Sequence, residues 1–485
     1  MDELGAGLAL LWTLPVLASL AFAVLIGLAV GLLPGLGGIS ALALLIPLVY
    51  GLEPVQGVAF LLGTHAVVYS GGSVSAVLLG IPGASPNAAT VADGYGLTRR
   101  GKPGYALGAA LTASAVGGVM GGLVLVALLP LLQQIALWIG SPETFLLAVI
   151  GLLMVAWLGE ASPSRGLVAG GLGILLSCIG VEAISGEARF WLGYDYLLDG
   201  IRLVPLTLGL FAVPVVLGLL VEPQDKTTLT TTLSRRQLVQ GISIVLRRRG
   251  LLVKSALLGT GIGIVPGVGG EAATFIAYGV ARGGGRRRRS TPIDGVIAPE
   301  GSNNAKEGGA LVPTLAFGVP GSAGMGVLLG GLLLLGLEPG PDFLVRHLDL
   351  AYAMALIVVV ANLLASALFL AMAPWLIKLV VVDRRLLGVC LLTLVASGSY
   401  AAENNFVDVG MTFAFGALGW AMARYHYSRA ALILGFVLGD PLERYFYISL
   451  DAYGPWFWLK PLPLGLIVVS LAMGAVLLRQ LSRGR

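Results

Sequence analysis

Charge is what this chain has least of: only 11% of its 485 residues are Asp, Glu, Lys or Arg, while 57% are hydrophobic. An average soluble domain is about one quarter charged, so this composition cannot clothe a water-facing surface. Histidine occurs three times and cysteine twice. With no H-E-x-x-H, no Cys/His cluster and no G-x-S-x-G elbow, little is left for metal or triad chemistry. The Gly101-Lys102 pair runs into Pro103 rather than Ser or Thr, so no P-loop is present and ATP is not the direct energy source. Cys178 and Cys390 lie far apart inside apolar runs, as free thiols acting as small hydrophobes, and no disulfide framework is implied.

What is present is apolar length. Stretches of about 20 residues, each enough to cross the hydrocarbon core, recur from end to end. The first, Leu8 to Leu33, is too long for a signal-peptide core and follows the acidic Asp2 and Glu3, so it is expected to remain in the protein. The net charge of +5 sits in the gaps between runs, where basic residues report topology rather than nucleic-acid binding. With the clusters at Arg99 to Lys102, Arg247 to Arg249, Arg286 to Arg289, Arg384 and Arg385, Arg424 and Arg429, and Arg479 to Arg485 all inside, the runs between them cross in even numbers. That frame puts the N-terminus outside and the C-terminus inside. Between 226 and 250, Leu229, Leu233, Leu238, Ile242 and Leu246 recur at near-helical spacing among polar residues, the pattern of an amphipathic helix at the cytoplasmic interface.

Two pairs of segments repeat in the same order. GLLPGLGG at Gly31 to Gly38 matches GIVPGVGG at Gly263 to Gly270, and LLGIPGAS at Leu78 to Ser85 matches AFGVPGSA at Ala316 to Ala323. Such self-similarity argues for duplication. The connector between the two elements is basic in the second half (Arg286 to Arg289) and lacks Lys and Arg in the first (Gly51 to Gln56), so the halves are expected to be inverted in the membrane. The expected fold is an all-α polytopic membrane protein. It has two inverted repeats with Pro-Gly-broken helices and re-entrant hairpins, in about 10 to 14 membrane segments. The first repeat covers 1–225, the linker helix 226–250 and the second repeat 251–485.

Pro34, Pro82, Pro266 and Pro320 each precede a glycine within an apolar run, and a helix is expected to break there. In lipid, the freed N-H and C=O groups are tolerated only where protein, water or ligand satisfies them. Half-helix N-termini then suit an anion and C-termini a cation. This places Gly35, Pro82, Gly83, Gly267, Pro320 and Gly321 at the candidate substrate and ion site, with the short polar side chains Ser85, Asn87, Thr90 and Ser322 beside the breaks. Asn303 and Asn304, read as entering the apolar run of the second half, are candidate ligands, with helix capping as the alternative.

Glu300 and Asp93 read as loop or supporting carboxylates, and Asp93-Gly94 equally as a turn. His65 either faces a cavity or is a hydrogen-bonded structural group. Glu403, Asn404 and Asn405 read as a tight outer turn, and Trp456 to Lys460 as an interfacial belt.

These motifs resemble the large membrane subunit of the tripartite tricarboxylate transporters, the TctA family. The likeness runs through GLLPGLGG, IPGASPNAATVADGYGLTRRGKPGYALG at Ile81 to Gly108, GIVPGVGG, and APEGSNNAKEGGALVPTLAFGVPGSAGMGVLLGGLLLLGLEPGP at Ala298 to Pro341. Ser302, where the family usually has alanine, and Pro86 with Asn87 depart from it close to the presumed site. The resemblance implies a multi-pass permease of the bacterial cytoplasmic (inner) membrane. Its partners would be a small TctB-like membrane subunit and a periplasmic TctC-like solute-binding protein, and its cargo citrate or other carboxylates driven by an ion gradient.

No cofactor is expected beyond the coupling ion. Asn and Thr ligands and a scarcity of buried carboxylates tilt the choice slightly to sodium over a proton, with the sodium ligands open. A membrane enzyme using Asp93, Glu300 and Glu403, a gradient-independent facilitator and a purely structural subunit are the alternatives.

Overall fold

The computed structural model describes residues 2–33, 37–155, 163–182, 184–221, 233–265, 270–283, 290–379 and 384–483. Gly35, Gly267 and Arg286 to Arg289 lie outside them. The chain is all-α, with one two-residue-per-strand hairpin (Gly180–Val181 with Ala188–Arg189) among the described residues.

The first apolar run divides at Trp12-Thr13 into α1 (Asp2–Leu11) and α2 (Leu14–Leu32), because Pro15 starts a new first turn. Then follow α3 (Gly38–Leu45), α4 (Pro54–Leu79), α5 (Ala88–Arg99), the 34-residue α6 (Pro103–Ala136), α7 (Ser141–Val155) and α8 (Pro163–Ser177). After the hairpin come α9 (Leu203–Thr207), a π-helical turn (Leu208–Ala212) and α10 (Val213–Val221). α8 ends at Ser177, and the chain leaves it into the hairpin excursion.

The second set is α11 (Arg235–Arg247), α12 (Arg249–Ile264), α13 (Gly270–Gly283), α14 (Asp294–Phe317), α15 (Ala323–Leu334), α16 (Pro341–Arg346) and α17 (Leu348–Leu379). The chain closes with α18 (Arg384–Glu403), α19 (Phe406–Arg424), α20 (Arg429–Tyr453) and α21 (Pro461–Arg483).

Among the described residues seven helices are long and apolar enough to span a bilayer, α2, α4, α6 and α17 among them. This is a multi-pass membrane protein. Of the linker segment expected over 226–250, residues 226–232 lie outside the described ones, Arg235–Arg247 form α11, and its apolar edge (Leu238, Gly241, Val245) is docked on α6 rather than left to lipid. A Cβ at Gly108 would lie 2.4 Å from the Leu238 carbonyl oxygen, so α6 and α11 touch backbone to backbone.

The repeated segments pack alike. α2 lies along α4 as α12 lies along α14. A Cβ on Gly31 would fall 2.4 Å from the Val68 carbonyl oxygen, and one on Gly263 2.3 Å from that of Lys306. Gly27 meets the Thr64 carbonyl and Gly259 the Ser302 carbonyl in the same register. α4 and α14 both end on a left-handed glycine, Gly80 (φ 71°) and Gly318 (φ 65°), immediately before the breaks at Pro82 and Pro320. Each break folds back on its own helix: Gly83 against the Cα of Gly72, Gly321 against that of Ala310.

Candidate functional site

α14 departs from the sequence-based expectation. Asn303 and Asn304 do not lead into a span, and they do not cap a helix; they sit in the middle of a 24-residue helix buried from Asp294 to Ala316. Glu300 is likewise helical and buried, not in a loop, and Asp93 with Gly94 lies within α5 rather than in a turn. Pro299 and Pro313, inside α14, leave the carbonyls of Gly295 and Gly309 without their helical donors.

Along its length α14 faces α4 through side chains. Three contacts order the seam. Ser73 donates to Glu300 (2.5 Å), the Asn304 amide donates to Ser70 (2.9 Å), and His65 Nε2 lies 2.9 Å from Glu307. The α4 numbers fall as the α14 numbers rise, so these helices run antiparallel. Two equivalent helices of oppositely inserted halves must do just that.

At one end of the seam the Glu300 carboxylate is fully enclosed. Its Oε1 accepts from Thr90 (2.6 Å) and its Oε2 from Ser73 (2.5 Å) and Ser114 (2.8 Å). The Asn87 amide donates to Ser73 Oγ (3.0 Å) and to the Tyr69 carbonyl (3.0 Å), fixing that hydroxyl. No Lys, Arg or His comes within ion-pair distance of Glu300 among the described residues.

At the other end Glu307 joins two bases, His65 on one oxygen and Lys306 on the other, all three buried. The Lys306 ammonium also stands 4.1 Å above the Tyr69 ring, and His65 meets the same ring edge-on. A Cβ on Gly324 would strike His65 (2.3 Å from Cε1), and one on Gly38 would lie 3.4 Å from His65 Nδ1. His65 therefore stands between the first turns of α3 and α15. His65 is a hydrogen-bonded group, and it also belongs to the seam.

Between these ends, Asn304 donates also to Asn362 of α17 (2.5 Å), while both amide atoms of Asn303 and the Ser302 hydroxyl are buried without partners. Orphaned buried polar atoms of this kind cost about 1 to 3 kcal/mol each unless a ligand or water meets them. The structure thus unites Asn87, Thr90, Glu300, Asn303 and Asn304, and packs Gly83 of the Pro82 break on Gly72 beside Asn87, whereas Gly321 of the Pro320 break packs on Ala310 and donates to Thr314 (3.2 Å), further along α14. It does not bring in Ser85, which is exposed, or Ser322, whose hydroxyl caps α15 through Met325 N (3.2 Å). Asp93 pairs instead with Arg282 of α13 (3.2 Å).

The sequence reading missed Ser70, Ser73, Ser114, Asn362, Lys306 and Glu307. His65, Tyr69, Ser70 and Ser73 do fall on one helical face of an apolar run, and Lys306-Glu307 is an ionic pair inside a buried block; both signals were legible. The mutual contacts, joining residues up to 242 positions apart, were not.

An all-α, multi-pass membrane protein with paired broken helices and a charged seam between them has the build of a secondary transporter. The profile of the tripartite tricarboxylate transporter TctA family matches residues 17–434, and the chain belongs to that family, the large subunits of tricarboxylate transporters. It is 31% identical over 430 residues, 87% of this chain and 84% of the other, to an Agrobacterium vitis protein described as "Uncharacterized 52.8 kDa protein in TAR-I ttuC' 3'region". A second protein of that organism, from the TAR-II ttuC' 3'region, is 30% identical over 190 residues, 39% of this chain and 78% of its own length. No solved structure matches the chain.

Proposed function

We propose that this chain is the permease of a binding-protein-dependent secondary transporter of the bacterial inner membrane, importing citrate or other tri- and C4-dicarboxylates on an ion gradient. The observation that carries the reading is the α4/α14 seam. There, Glu307 holds Lys306 and His65, and His65 lies beside the first turns of α3 and α15, while unpartnered Asn303 and a cation-free Glu300 lie about one and two turns away along α14. Positive helix ends and a buried cation suit an anionic substrate. A carboxylate without a counter-charge suits the coupling ion, so one seam accommodates both.

The partners on this reading are a small TctB-like membrane subunit and a periplasmic TctC-like binding protein that selects the cargo. The N-terminus lies outside and the C-terminus inside, by the basic clusters at Arg99, Arg247 and Arg479. His65, Ser73, Thr90, Glu300 and Asn304 show no exposure, so the hairpins must move for cargo to reach the seam.

The test is uptake of labelled citrate and C4-dicarboxylates into proteoliposomes holding this chain and its small partner, with and without binding protein and gradient. Uptake that requires both supports the reading. Uptake indifferent to both means a facilitator.

A further inference from the structure

Ser73 has one hydroxyl hydrogen and two acceptors in reach, the Glu300 carboxylate at 2.5 Å and the Tyr69 carbonyl at 3.0 Å. With Glu300 ionised, that hydrogen points at the carboxylate and Ser73 accepts from Asn87, so both carboxylate oxygens and the Ser73 hydroxyl are satisfied. With a proton on Glu300 Oε2, the new O-H donates to Ser73 Oγ, whose own hydrogen turns to the Tyr69 carbonyl. Asn87 still donates to Ser73, and Thr90 and Ser114 still donate to Glu300. One hydroxyl rotation converts a cradle for a carboxylate into a cradle for a carboxylic acid, with no side chain displaced and no further polar atom orphaned beyond Asn87 Oδ1, which lacks a partner in either form.

From this counting we propose that Glu300 is the site at which this chain exchanges a proton and, resting on the permease reading above, that this proton is the coupling ion. Of the two grounds for the slight preference for sodium, Asn and Thr ligands and a scarcity of buried carboxylates, Glu300 and Glu307 remove the second.

The groups around Glu300 leave its charge uncompensated. From α4 it meets Ser73, from α5 Thr90, from α6 Ser114, none of which titrates. Asp93 of α5 is taken by Arg282 of α13; Asp294, at the start of α14, pairs with Arg248 (3.3 Å); Lys254 of α12 is exposed. Lys306, Glu307 and His65 satisfy one another at the far end of the seam, against Tyr69.

The cradle is also placed to couple. Glu300 comes from the second set of helices and all of its hydroxyl donors come from the first, two of them flanking the Pro82 break. Hydrogen bonds to a charged acceptor are roughly twice as strong as neutral ones, so the ionised form holds the two sets together and the protonated form loosens them.

The experiment is infrared difference spectroscopy of the full chain in lipid, across a pH titration with and without sodium, beside uptake in proteoliposomes. A carboxylic-acid C=O band that appears on acidification, ignores sodium and is lost in Glu300→Gln is the expected result, together with loss of proton-driven accumulation in that variant. A wild-type spectrum without a band that Glu300→Gln removes overturns the proposal, as does a band that sodium abolishes. Should Glu300→Gln fail to fold, Ser73→Ala is expected to displace the midpoint of the band by about one pH unit, the scale of one hydrogen bond to a charged group. An unmoved midpoint overturns the relay. A Glu300 band without uptake under any gradient upholds the proton site and sinks the permease reading, whereas sodium-driven uptake without the band does the reverse.

Discussion

Lys306 and Glu307 are neighbours in sequence, and their burial between α4 and α14 makes each the other's reason for being tolerated. Removing one partner of a buried pair leaves an uncompensated charge and costs about 3 to 5 kcal/mol, whereas replacing both costs far less. Lys306→Met alone and Glu307→Gln alone are therefore expected to lower the melting temperature of the purified protein more than the double variant does, as followed by thermal unfolding. Because Glu307 also holds His65, the Glu307 single variant is expected to be the more damaging.

Asn303 and Asn304 separate on the same logic. Asn304→Ala strands Ser70 and Asn362, at about 1 to 3 kcal/mol, while Asn303→Ala removes amide atoms that have no partner. Unchanged stability with abolished uptake in Asn303→Ala would mark a ligand; unchanged stability and uptake would remove it from the site.

At the scale of elements, the glycines are where the two hairpins of the fold can be tested. Gly31 and Gly263 each receive a backbone carbonyl closer than 2.5 Å to where a Cβ would stand, and neither backbone can retreat without separating α2 from α4 or α12 from α14. Alanine at either is expected to destabilise by about 1 to 3 kcal/mol, the usual cost of overpacking. Gly261→Ala, on the open side of α12, should be neutral or slightly stabilising, since alanine favours helix and nothing lies within 4 Å. Thermal unfolding of the three variants side by side decides it; equal behaviour would mean the close approaches are not what joins the pairs.

The breaks at Pro82 and Pro320 were legible in the sequence, because a Pro-Gly step in an apolar run has few other meanings. α14 was not, and the cause is physical. A helix buried on every side in a polar seam has no amphipathic contrast, carries Pro299 and Pro313, and is diluted in hydropathy by Asp294, Glu300, Lys306 and Glu307. Periodicity shows helices that have an apolar and a wet face, and this one has neither.

At the scale of the molecule, ion pairs join elements on and beyond the seam. Asp93–Arg282 and Arg248–Asp294 cluster at the end where the basic segments gather, and Arg202–Asp408 with Tyr196 lies near the hairpin excursion beyond α8. Asp93 joins α5, which follows the break at Pro82, to α13, so that pair ties together two segments that must separate if the seam opens on that side. Gly295 lies under the same carboxylate, with a Cβ there only 1.9 Å from Asp93 Oδ2, which leaves the pair one seat.

Arg282 is about one third exposed, so the pair contributes ~1 kcal/mol, enough to change the ratio of open to closed forms about fivefold. Cysteines at Ser85 and Ser322, with Cys178 and Cys390 replaced, report that ratio through their rates of labelling from either side. Asp93→Asn is expected to alter both rates in opposite senses, and the swap Asp93→Arg with Arg282→Asp to restore them in part. Rates that never move in wild type or variant would mean that the hairpins are fixed, and an alternating seam would then have to be abandoned for a static pore.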